Sequence, residues 1–489
     1  MIIKRLFGLG ILLSVCCFFA APAFSQEVIY SNYEKFDLRT GDFSVIGKSG
    51  DRIYVYRGGA DGFFLDAYDD SMVKKATVLL DFFPKKIYET RFINYSDRMI
   101  VLYQAVEGNK VVQYAALLDT KGRLLKNPVQ LTSAKAGIFG PNRDYFSSAV
   151  SDDKTQVLVY GIESKGRQLQ FTGVWLDSDL NISGRAHSSY TADNDLESGE
   201  GLIDDKGNFF IPVYTPAGAK NFADQLWVLT LPKLGNRFKA AEFNVKNKYV
   251  ANSFMKMDNV NNRIYLAGFY SEKKNGNYDG VLYGVFNISD SAFGNNKLIP
   301  FDDRIRAATG ERNKKRAFDN YQAKQIIIKK DGGFVLISED VTIMYRNNNM
   351  GWGGYYSFYY NGPMMTQTVR EYYYNDIFGL SYNSEGVNEW YAFVRKNQFS
   401  QEDGGIFSSY ALINTGGILG FLFNDFNSNR SKIQFATLDA SGQIEMRSLA
   451  AGSNADPDWL PRSAKQIGVR EMVIPCLRKR QICFAKIIF

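Results

Sequence analysis

Tyr95-Ser-Asp-Arg98, followed at once by Met99-Ile-Val-Leu-Tyr103, is the stretch of sequence that decides the fold. A short polar turn leads into a run of β-branched and aromatic residues, which suit a pleated, half-buried strand. A second turn follows at Leu118-Asp-Thr-Lys-Gly-Arg123. There the Asp side chain can bond its own backbone and Gly can take a positive φ. Such turns between short strands are typical of antiparallel hairpins.

Both kinds of turn recur along the chain. The first recurs at Lys48-Ser-Gly-Asp51, Asp152-Asp-Lys154, Asp204-Asp-Lys-Gly207, Asn259-Val-Asn-Asn262, Lys330-Asp-Gly-Gly333 and Asn414-Thr-Gly-Gly417. The second recurs at Leu176-Asp-Ser-Asp-Leu180, Tyr382-Asn-Ser-Glu-Gly386 and Leu438-Asp-Ala-Ser-Gly442. Together they predict eight units of four short strands, which start near residues 40, 90, 145, 198, 250, 318, 406 and 459. The spacing is mostly about 45–55 residues, and the sixth unit is far longer.

This repeat predicts an all-β fold, an eight-bladed β-propeller of four-stranded antiparallel blades, because radial repetition leaves only short sheet edges. Seven blades are the main alternative, and two packed sandwiches are a weaker one. The last unit has too few strands of its own. We therefore expect the strand-like segment from Val28 to Leu38 to join the last blade and close the ring.

The first 25 residues have the features of a signal peptide. Lys4 and Arg5 precede an uncharged, mostly apolar run, and Ala23-Phe24-Ser25 offers the small residues that a signal peptidase requires. We expect residues 26–489 to form one exported domain, in the periplasm or at the cell surface. Lipidation at Cys16 is a weaker alternative, and no later segment is predicted to span a membrane.

Composition excludes much of enzymology. The chain of 489 residues has one His, four Cys and a net charge of +7. One His cannot build a multi-histidine metal site, and no motif gives His187 a catalytic partner. The charge is too small and too dispersed to indicate nucleic-acid binding. We predict no catalytic residues, no metal and no cofactor.

Cys476 and Cys483 are the only cysteines after the leader, and they flank the basic turn Arg478-Lys479-Arg480. A hairpin centred on that turn sets the two cysteines opposite each other, and an oxidising compartment permits a bond between them. The sequence therefore predicts a disulfide, with two buried free thiols as the alternative. Cross-strand disulfides prefer the closer, non-hydrogen-bonded pair. A two-residue loop would make the two cysteines a hydrogen-bonded pair, and a four-residue loop would make them the closer kind.

Two segments are candidate binding surfaces. An aromatic-rich insertion at about 343–376 interrupts the sixth unit. Tyr and Trp give large contact area at low entropy cost and are enriched in protein interfaces. Its aromatic residues are Tyr345, Trp352, Tyr355, Tyr356, Phe358, Tyr359, Tyr360, Tyr372, Tyr373 and Tyr374. A basic loop between the fifth and sixth units carries Arg304, Arg306, Arg312, Lys314, Lys315 and Arg316. It could contact lipid headgroups or an acidic glycan, although such runs are commonly just solvated.

The turn and strand pattern, together with Glu371-Tyr-Tyr-Tyr-Asn-Asp376, resembles secreted β-propeller proteins of Gram-negative bacteria whose function is uncharacterised. The resemblance implies a fold and a compartment, and it implies no reaction. We therefore predict a non-catalytic binding or scaffold module of the cell envelope that contacts a partner protein through the aromatic insertion. The alternatives are a polysaccharide-binding propeller and a propeller hydrolase or lyase that uses carboxylates in its central funnel.

Overall fold

The computed structural model describes residues 27–136, 145–217, 222–274, 276–310, 318–348, 367–425, 432–450 and 457–489. The predicted signal peptide lies outside these residues. The described chain is all-β apart from helix α1 (Asp303–Ala308) and a 3₁₀ turn at Pro461–Ser463. Among the described residues, no helix is both long and apolar enough to cross a membrane.

The strands follow one another in antiparallel units that are like propeller blades. β1 (Glu27–Tyr30) and β2 (Glu34–Lys35) come first. Unit 1 has β3 (Asp42–Ser49), β4 (Arg52–Gly59), β5 (Gly62–Tyr68) and β6 (Lys74–Leu79). Unit 2 has β7 (Ile87–Asn94), β8 (Arg98–Glu107), β9 (Lys110–Asp119) and β10 (Leu124–Lys135). Unit 3 has β11 (Ser147–Val150), β12 (Val157–Lys165), β13 (Gln168–Leu176) and β14 (Ile182–Thr191).

Unit 4 has β15 (Glu197–Ser198), β16 (Leu202–Ile203), β17 (Phe209–Pro216), β18 (Phe222–Leu231) and β19 (Lys239–Glu242). Unit 5 has β20 (Tyr249–Asp258), β21 (Arg263–Ser271), β22 (Gly280–Asn287) and β23 (Ala292–Pro300). Unit 6 has β24 (Tyr321–Ile328), β25 (Phe334–Asn348), β26 (Gln367–Tyr382), β27 (Asn388–Val394) and β28 (Gln398–Gln401). Unit 7 has β29 (Ala411–Asn414), β30 (Ile418–Asp425), β31 (Lys432–Asp439) and β32 (Ile444–Ala450). Unit 8 has β33 (Asp458–Trp459), β34 (Lys465–Gly468), β35 (Glu471–Arg478) and β36 (Gln481–Ile488).

Local turn chemistry fixes the hairpins, as the sequence predicts. Asp119 Oδ1 accepts hydrogen bonds from the backbone N–H groups of Lys121 and Arg123, at 2.8 and 2.9 Å. Gly122 has a φ of 75°, which a side chain would oppose. The second turn of units 3, 6 and 7 has the same Asp or Asn cap.

Unit 8 takes strands from both ends of the chain. β1 pairs with β36, with Val28 opposite Ile487, and β2 pairs with β36 through Glu34 and Ile482. Ser31 lies between the two strands, where its hydroxyl accepts a hydrogen bond from the Phe484 N–H at 2.9 Å. The described N-terminal strands therefore belong to the last unit.

Units 4 and 5 share one nine-stranded sheet. Phe222 and Ala223 at the start of β18 pair with Ala251 and Val250 of β20. The turn pattern predicts separate blades and does not show this bridge.

The core is divided among the contacts between units. Within the described residues, eight apolar clusters each join two consecutive units, and one of the eight joins unit 8 to unit 1. In that cluster the rings of Tyr68 and Phe484 lie 5.9 Å apart. First strands also lie beside first strands, as β3 does with β7 and with β34, and as β20 does with β16 and β24. These first strands form the inner layer of the fold.

The two ends of the inner strands differ. At one end, which we name the turn end, neighbouring units are hydrogen-bonded through the turns that follow their first strands. The Ser49 hydroxyl donates to Asn94 Oδ1 at 2.9 Å, and Lys154 Nζ donates to the Asn94 carbonyl oxygen at 2.9 Å. The opposite end, where β25 and β26 extend beyond their unit, is the hairpin end.

Candidate functional site

The β25–β26 hairpin is longer than the rest of its unit. Its two strands pair from Phe334 and Tyr382 as far as Asn348 and Gln367. β24 accompanies β25 only up to the pairing of Tyr321 with Asp340. We name residues 341–348 and 367–374, which continue beyond this point, the arm.

One edge of the arm has no strand partner among the described residues. The last backbone bond on that side of β25 runs from the Val341 N–H to the Asn320 carbonyl oxygen, at 3.1 Å. Backbone polar groups of successive strand residues point to alternate sides. The N–H and C=O groups of Ile343, Tyr345 and Asn347 therefore point to the same edge as those of Val341. This side is the open edge of the arm.

Apolar side chains surround the open edge. Ile343, Met344 and Tyr345 are 47%, 51% and 66% exposed. Arg370, opposite Tyr345 in the hairpin, places its guanidinium 5.2 Å from the centre of the Tyr345 ring. Consecutive exposed apolar residues on a projecting strand are uncommon on a monomer surface and favour an interaction site.

The other edge of the arm is covered. β28 pairs with residues 371–374 of β26, and Phe399 of β28 packs on Tyr373 with their rings 4.9 Å apart. Tyr372 and Tyr374 are only 6% and 7% exposed, in a cluster with Val341. This differs from the predicted single aromatic surface, because β28 and the body of unit 6 bury alternate residues of the tyrosine run. Trp352, Tyr355, Tyr356, Phe358, Tyr359 and Tyr360 lie outside the described residues.

A buried polar network holds the root of the arm. Lys396 Nζ lies 2.7 Å from Glu339 Oε1, and both side chains are inaccessible to solvent. Lys396 Nζ also donates to the Tyr374 carbonyl oxygen and to Gln398 Oε1, at 3.0 Å each. The Ser409 hydroxyl donates to Glu339 Oε2 at 2.8 Å. Burial lowers the pKa of Lys396, and the carboxylate of Glu339 opposes that shift. This network ties β25, β26 and β28 together below the arm.

A cleft of about 400 Å³ lies between the inner strands of units 2, 3 and 4. Its lining includes Glu89 and Arg91 of β7, Ser148 of β11, Tyr160 of β12 and Glu200. Arg91 Nη1 donates to Ser148 Oγ at 2.8 Å. Burial raises the pKa of Tyr160, whose hydroxyl accepts a hydrogen bond from the Gly201 N–H at 3.0 Å. Sequence analysis missed this cleft because its residues come from three units and form no local motif.

The predicted basic loop begins as a helix. Asp302 caps α1 by accepting a hydrogen bond from the Ile305 N–H at 2.8 Å, which starts the helix just before the basic run. Arg304 pairs with Asp302 at 2.8 Å, and Arg306 approaches Asp279 at 3.4 Å. The described part of the predicted patch is therefore charge-paired. Arg312, Lys314, Lys315 and Arg316 lie outside the described residues.

Cys476 and Cys483 face each other in the register of β35 and β36, as predicted. In the structure they are two buried free thiols, which is the alternative to the predicted disulfide. The turn between them has two residues, Lys479 and Arg480, and follows the pairing of Arg478 with Gln481. That loop makes the cysteines a hydrogen-bonded pair, the wider of the two kinds.

His187 lies on β14, the outer strand of unit 3, and is exposed, with Nδ1 3.2 Å from the Thr172 hydroxyl. Within the described part of the chain, no group of three or more His, Cys, Asp or Glu residues is arranged to hold a metal ion.

Comparison with known proteins gives similarity of overall structure alone. No protein-family model and no curated protein matches the chain. Prolyl oligopeptidase B from Galerina marginata is 12% identical with a TM-score of 0.42, over 90% of this chain and 55% of that one. An ulvan lyase of polysaccharide lyase family PL25 is 10% identical with a TM-score of 0.38, over 80% and 90%. Dihydro-heme d1 dehydrogenase NirN is 14% identical with a TM-score of 0.36, over 94% and 74%.

The chain thus spans about half the length of the peptidase. Similarity this low assigns no activity, so function has to be argued from the chain's own geometry.

Proposed function

We propose that this chain is an exported β-propeller that binds a partner protein by adding an extended segment of the partner to the open edge of the arm. The observation that carries the proposal is the edge of β25 that no described strand pairs with, beside exposed Ile343, Met344 and Tyr345. In strand addition, main-chain hydrogen bonds supply affinity and neighbouring side chains supply selectivity. The arm offers both.

The alternation of β25 defines the docking surface. Ile343, Tyr345 and Asn347 direct backbone groups to the open edge, whereas Thr342 and Met344 direct theirs to β26. Side chains of successive strand residues project to opposite faces. Ile343 and Tyr345 therefore flank the added strand on one face, and Met344 flanks it on the other.

We further propose that the units form a closed ring of eight blades. Eight inter-unit clusters in cyclic order support eight blades over seven. The pairing of β1 with β36 supports closure through the last blade. A closed ring gives the arm a rigid base, and a rigid base lowers the entropic cost of binding.

The predicted signal peptide supports export, with an envelope protein as the partner. Residues 4–25 supply this support through sequence pattern alone. Cell fractionation with a periplasmic and an outer-surface marker tests export, which predicts that the protein is found with one of the two markers.

The test compares two variants at one position. I343P removes the outward N–H and the Ile side chain, while it leaves the ladder between β25 and β26 intact. I343T removes the Ile side chain alone. Each variant, the parent chain and a chain lacking residues 343–370 would be cross-linked in the native envelope and purified by affinity tag.

Strand addition predicts that the parent and I343T recover a common partner, and that I343P and the deletion lose it. Equal recovery by I343P and I343T would contradict strand addition. Recovery of the same proteins by the deletion variant would contradict docking at the arm altogether.

A second candidate function rests on the cleft. Two carboxylates, Glu89 and Glu200, and two tyrosines, Tyr145 and Tyr160, meet in a space that could hold one sugar residue. This supports glycan binding, or glycan cleavage by carboxylates. A screen that measures glycan binding by the parent chain and by E200Q tests this function. Equal binding by the two proteins would contradict it. I343P should leave any glycan signal unchanged.

A further inference from the structure

Three cationic side chains from three units lie against two neighbouring inner strands, β3 of unit 1 and β7 of unit 2. Arg91 is on β7 of unit 2, Lys154 is in the turn after β11 of unit 3, and Lys465 begins β34 of unit 8. β3 lies beside both β7 and β34. Lys465 Nζ donates to the Ile46 carbonyl oxygen on β3 at 2.8 Å, so the amine lies against the strand beside β7.

These cations have neutral partners. Arg91 donates to the carbonyl oxygen and the hydroxyl of Ser148, and Lys154 donates to the Asn94 carbonyl oxygen. Within the described residues, none of the three forms an ion pair. Lys48, on the same inner layer, differs because it is ion-paired. Its Nζ lies 2.7 Å from Asp70 and 3.4 Å from Glu471.

The three charges affect one another. Desolvation lowers the pKa of Lys465, and the charges of Lys154 and Arg91 lower it further. Lys465 is nevertheless exposed to solvent. Uncompensated positive charge is therefore concentrated where a small solute can reach it.

Nearby carboxylates lie to one side of this cluster. Glu89 precedes Arg91 by two residues on β7, toward the hairpin end, and accepts a hydrogen bond from Gln104 Nε2 at 2.8 Å. Glu200 lines the same cleft as Arg91. Of the three cations, Arg91 borders the cleft directly.

We propose that Arg91, Lys154 and Lys465 form a binding site for an oxyanion, a carboxylate, sulfate or phosphate group that enters through the cleft. Charge-assisted hydrogen bonds from guanidinium and ammonium groups suit such an anion. Bound anion also relieves the repulsion among the three cations. This site is independent of strand addition at the arm, and either proposal can fail alone.

Calorimetric titration of the full-length protein tests the site at low ionic strength. The probes are sulfate, glucuronate and glucose, with chloride at matched ionic strength as the background. If sulfate and glucuronate bind with equal affinity, the ligand is a free oxyanion. If glucuronate binds more tightly, the ligand is an acidic sugar. Glucose should not bind. Binding should weaken as salt screens the charges.

R91Q and K465Q should each weaken the anion's affinity by about tenfold or more. K121Q, which removes a cation from an exposed turn, should leave it unchanged. K465Q should also raise the melting temperature of the free protein, because it removes repulsion, and this second measurement separates lost binding from lost folding. Failure of both anions to bind, or equal binding by parent, R91Q and K465Q, would overturn the proposal.

Discussion

The β12–β13 hairpin of unit 3 and the β25–β26 hairpin of unit 6 occupy equivalent places in their units. They differ in the residues that extend beyond the inner strand. β11 pairs with β12 only as far as Tyr160, so β12 also outruns its inner partner. Its extension carries Glu163 and Lys165, which pair at 3.2 Å, before the hairpin closes. The corresponding part of β25 carries Ile343, Met344 and Tyr345.

Charged residues on an exposed edge discourage the addition of another strand. Unit 3 has charged residues at positions 163 and 165, whereas unit 6 has Ile343 and Tyr345 at the equivalent positions. Both extensions lack an inner strand partner among the described residues. The comparison teaches that strand length alone does not make a docking site in this fold. The site arises where an open edge and exposed apolar side chains coincide.

The largest expected effect concerns the buried ion pair of Lys396 and Glu339 at the base of the arm. K396A leaves the Glu339 carboxylate buried without its partner, which should cost about 3–5 kcal/mol in the free energy of unfolding. The double variant K396M/E339L should recover most of this loss, because apolar replacement of both partners removes the buried charge. Urea denaturation measures both.

K165A is the matched control on the protected hairpin, since its exposed ion pair should contribute no more than about 1 kcal/mol. A loss below about 1 kcal/mol in K396A would mean that the buried pair does not support the arm.

Exchanging the edge residues should transfer the docking property to unit 3. E163I/K165Y removes the protecting charges and places apolar side chains on the extension of β12. We expect this variant to self-associate more strongly than the parent chain at the same concentration, because it has a second exposed apolar edge and such edges pair with one another. Sedimentation velocity measures the change. A variant that stays as dispersed as the parent would show that edge charge is not what separates the two hairpins.

A smaller effect is expected at alkaline pH, where the buried tyrosines of the blades differ from exposed ones. Burial raises the pKa of Tyr214, on β17, to about 12. In the unfolded chain tyrosine ionises near pH 10, so between these values the unfolded state binds fewer protons than the folded state. The free energy of unfolding should therefore fall as pH rises above about 10. Y214F should show a shallower fall, and a fall as steep as in the parent would contradict the assignment.

The smallest effect concerns the cysteines of unit 8. Burial raises the pKa of Cys476, and both thiols lie inside the cluster between units 7 and 8. Without reductant, a thiol reagent should find no reactive group in the folded protein and two in the unfolded protein. If the unfolded protein has no reactive thiol, the two cysteines form the disulfide that the sequence predicts.

Local chemistry made the strand order predictable from sequence. The predicted starts near 90 and 145 correspond to β7 at Ile87 and β11 at Ser147, because Asp and Gly fix each turn without help from distant residues. Likewise, the polar and glycine turn at Asn414 correctly separates β29 from β30.

The candidate site was less predictable. The tyrosine run marks the insertion, but which tyrosines are exposed depends on the pairing of β28 with β26. The pair of Glu339 and Lys396 joins residues of opposite charge that no periodicity connects. Likewise, Arg91, Lys154 and Lys465 are brought to the neighbouring strands β3 and β7 only by the packing of units 8, 1, 2 and 3. Long-range packing, rather than local propensity, decides each of these features.

Amide hydrogen exchange along residues 342–348 is the most direct test of the open edge, and it needs no knowledge of the partner. The structure predicts alternation in the free protein. The N–H groups of Ile343, Tyr345 and Asn347 should exchange rapidly, whereas those of Thr342 and Met344, which point toward β26, should be protected. Uniform protection along β25 would show that the edge is already covered and would contradict strand addition at the arm.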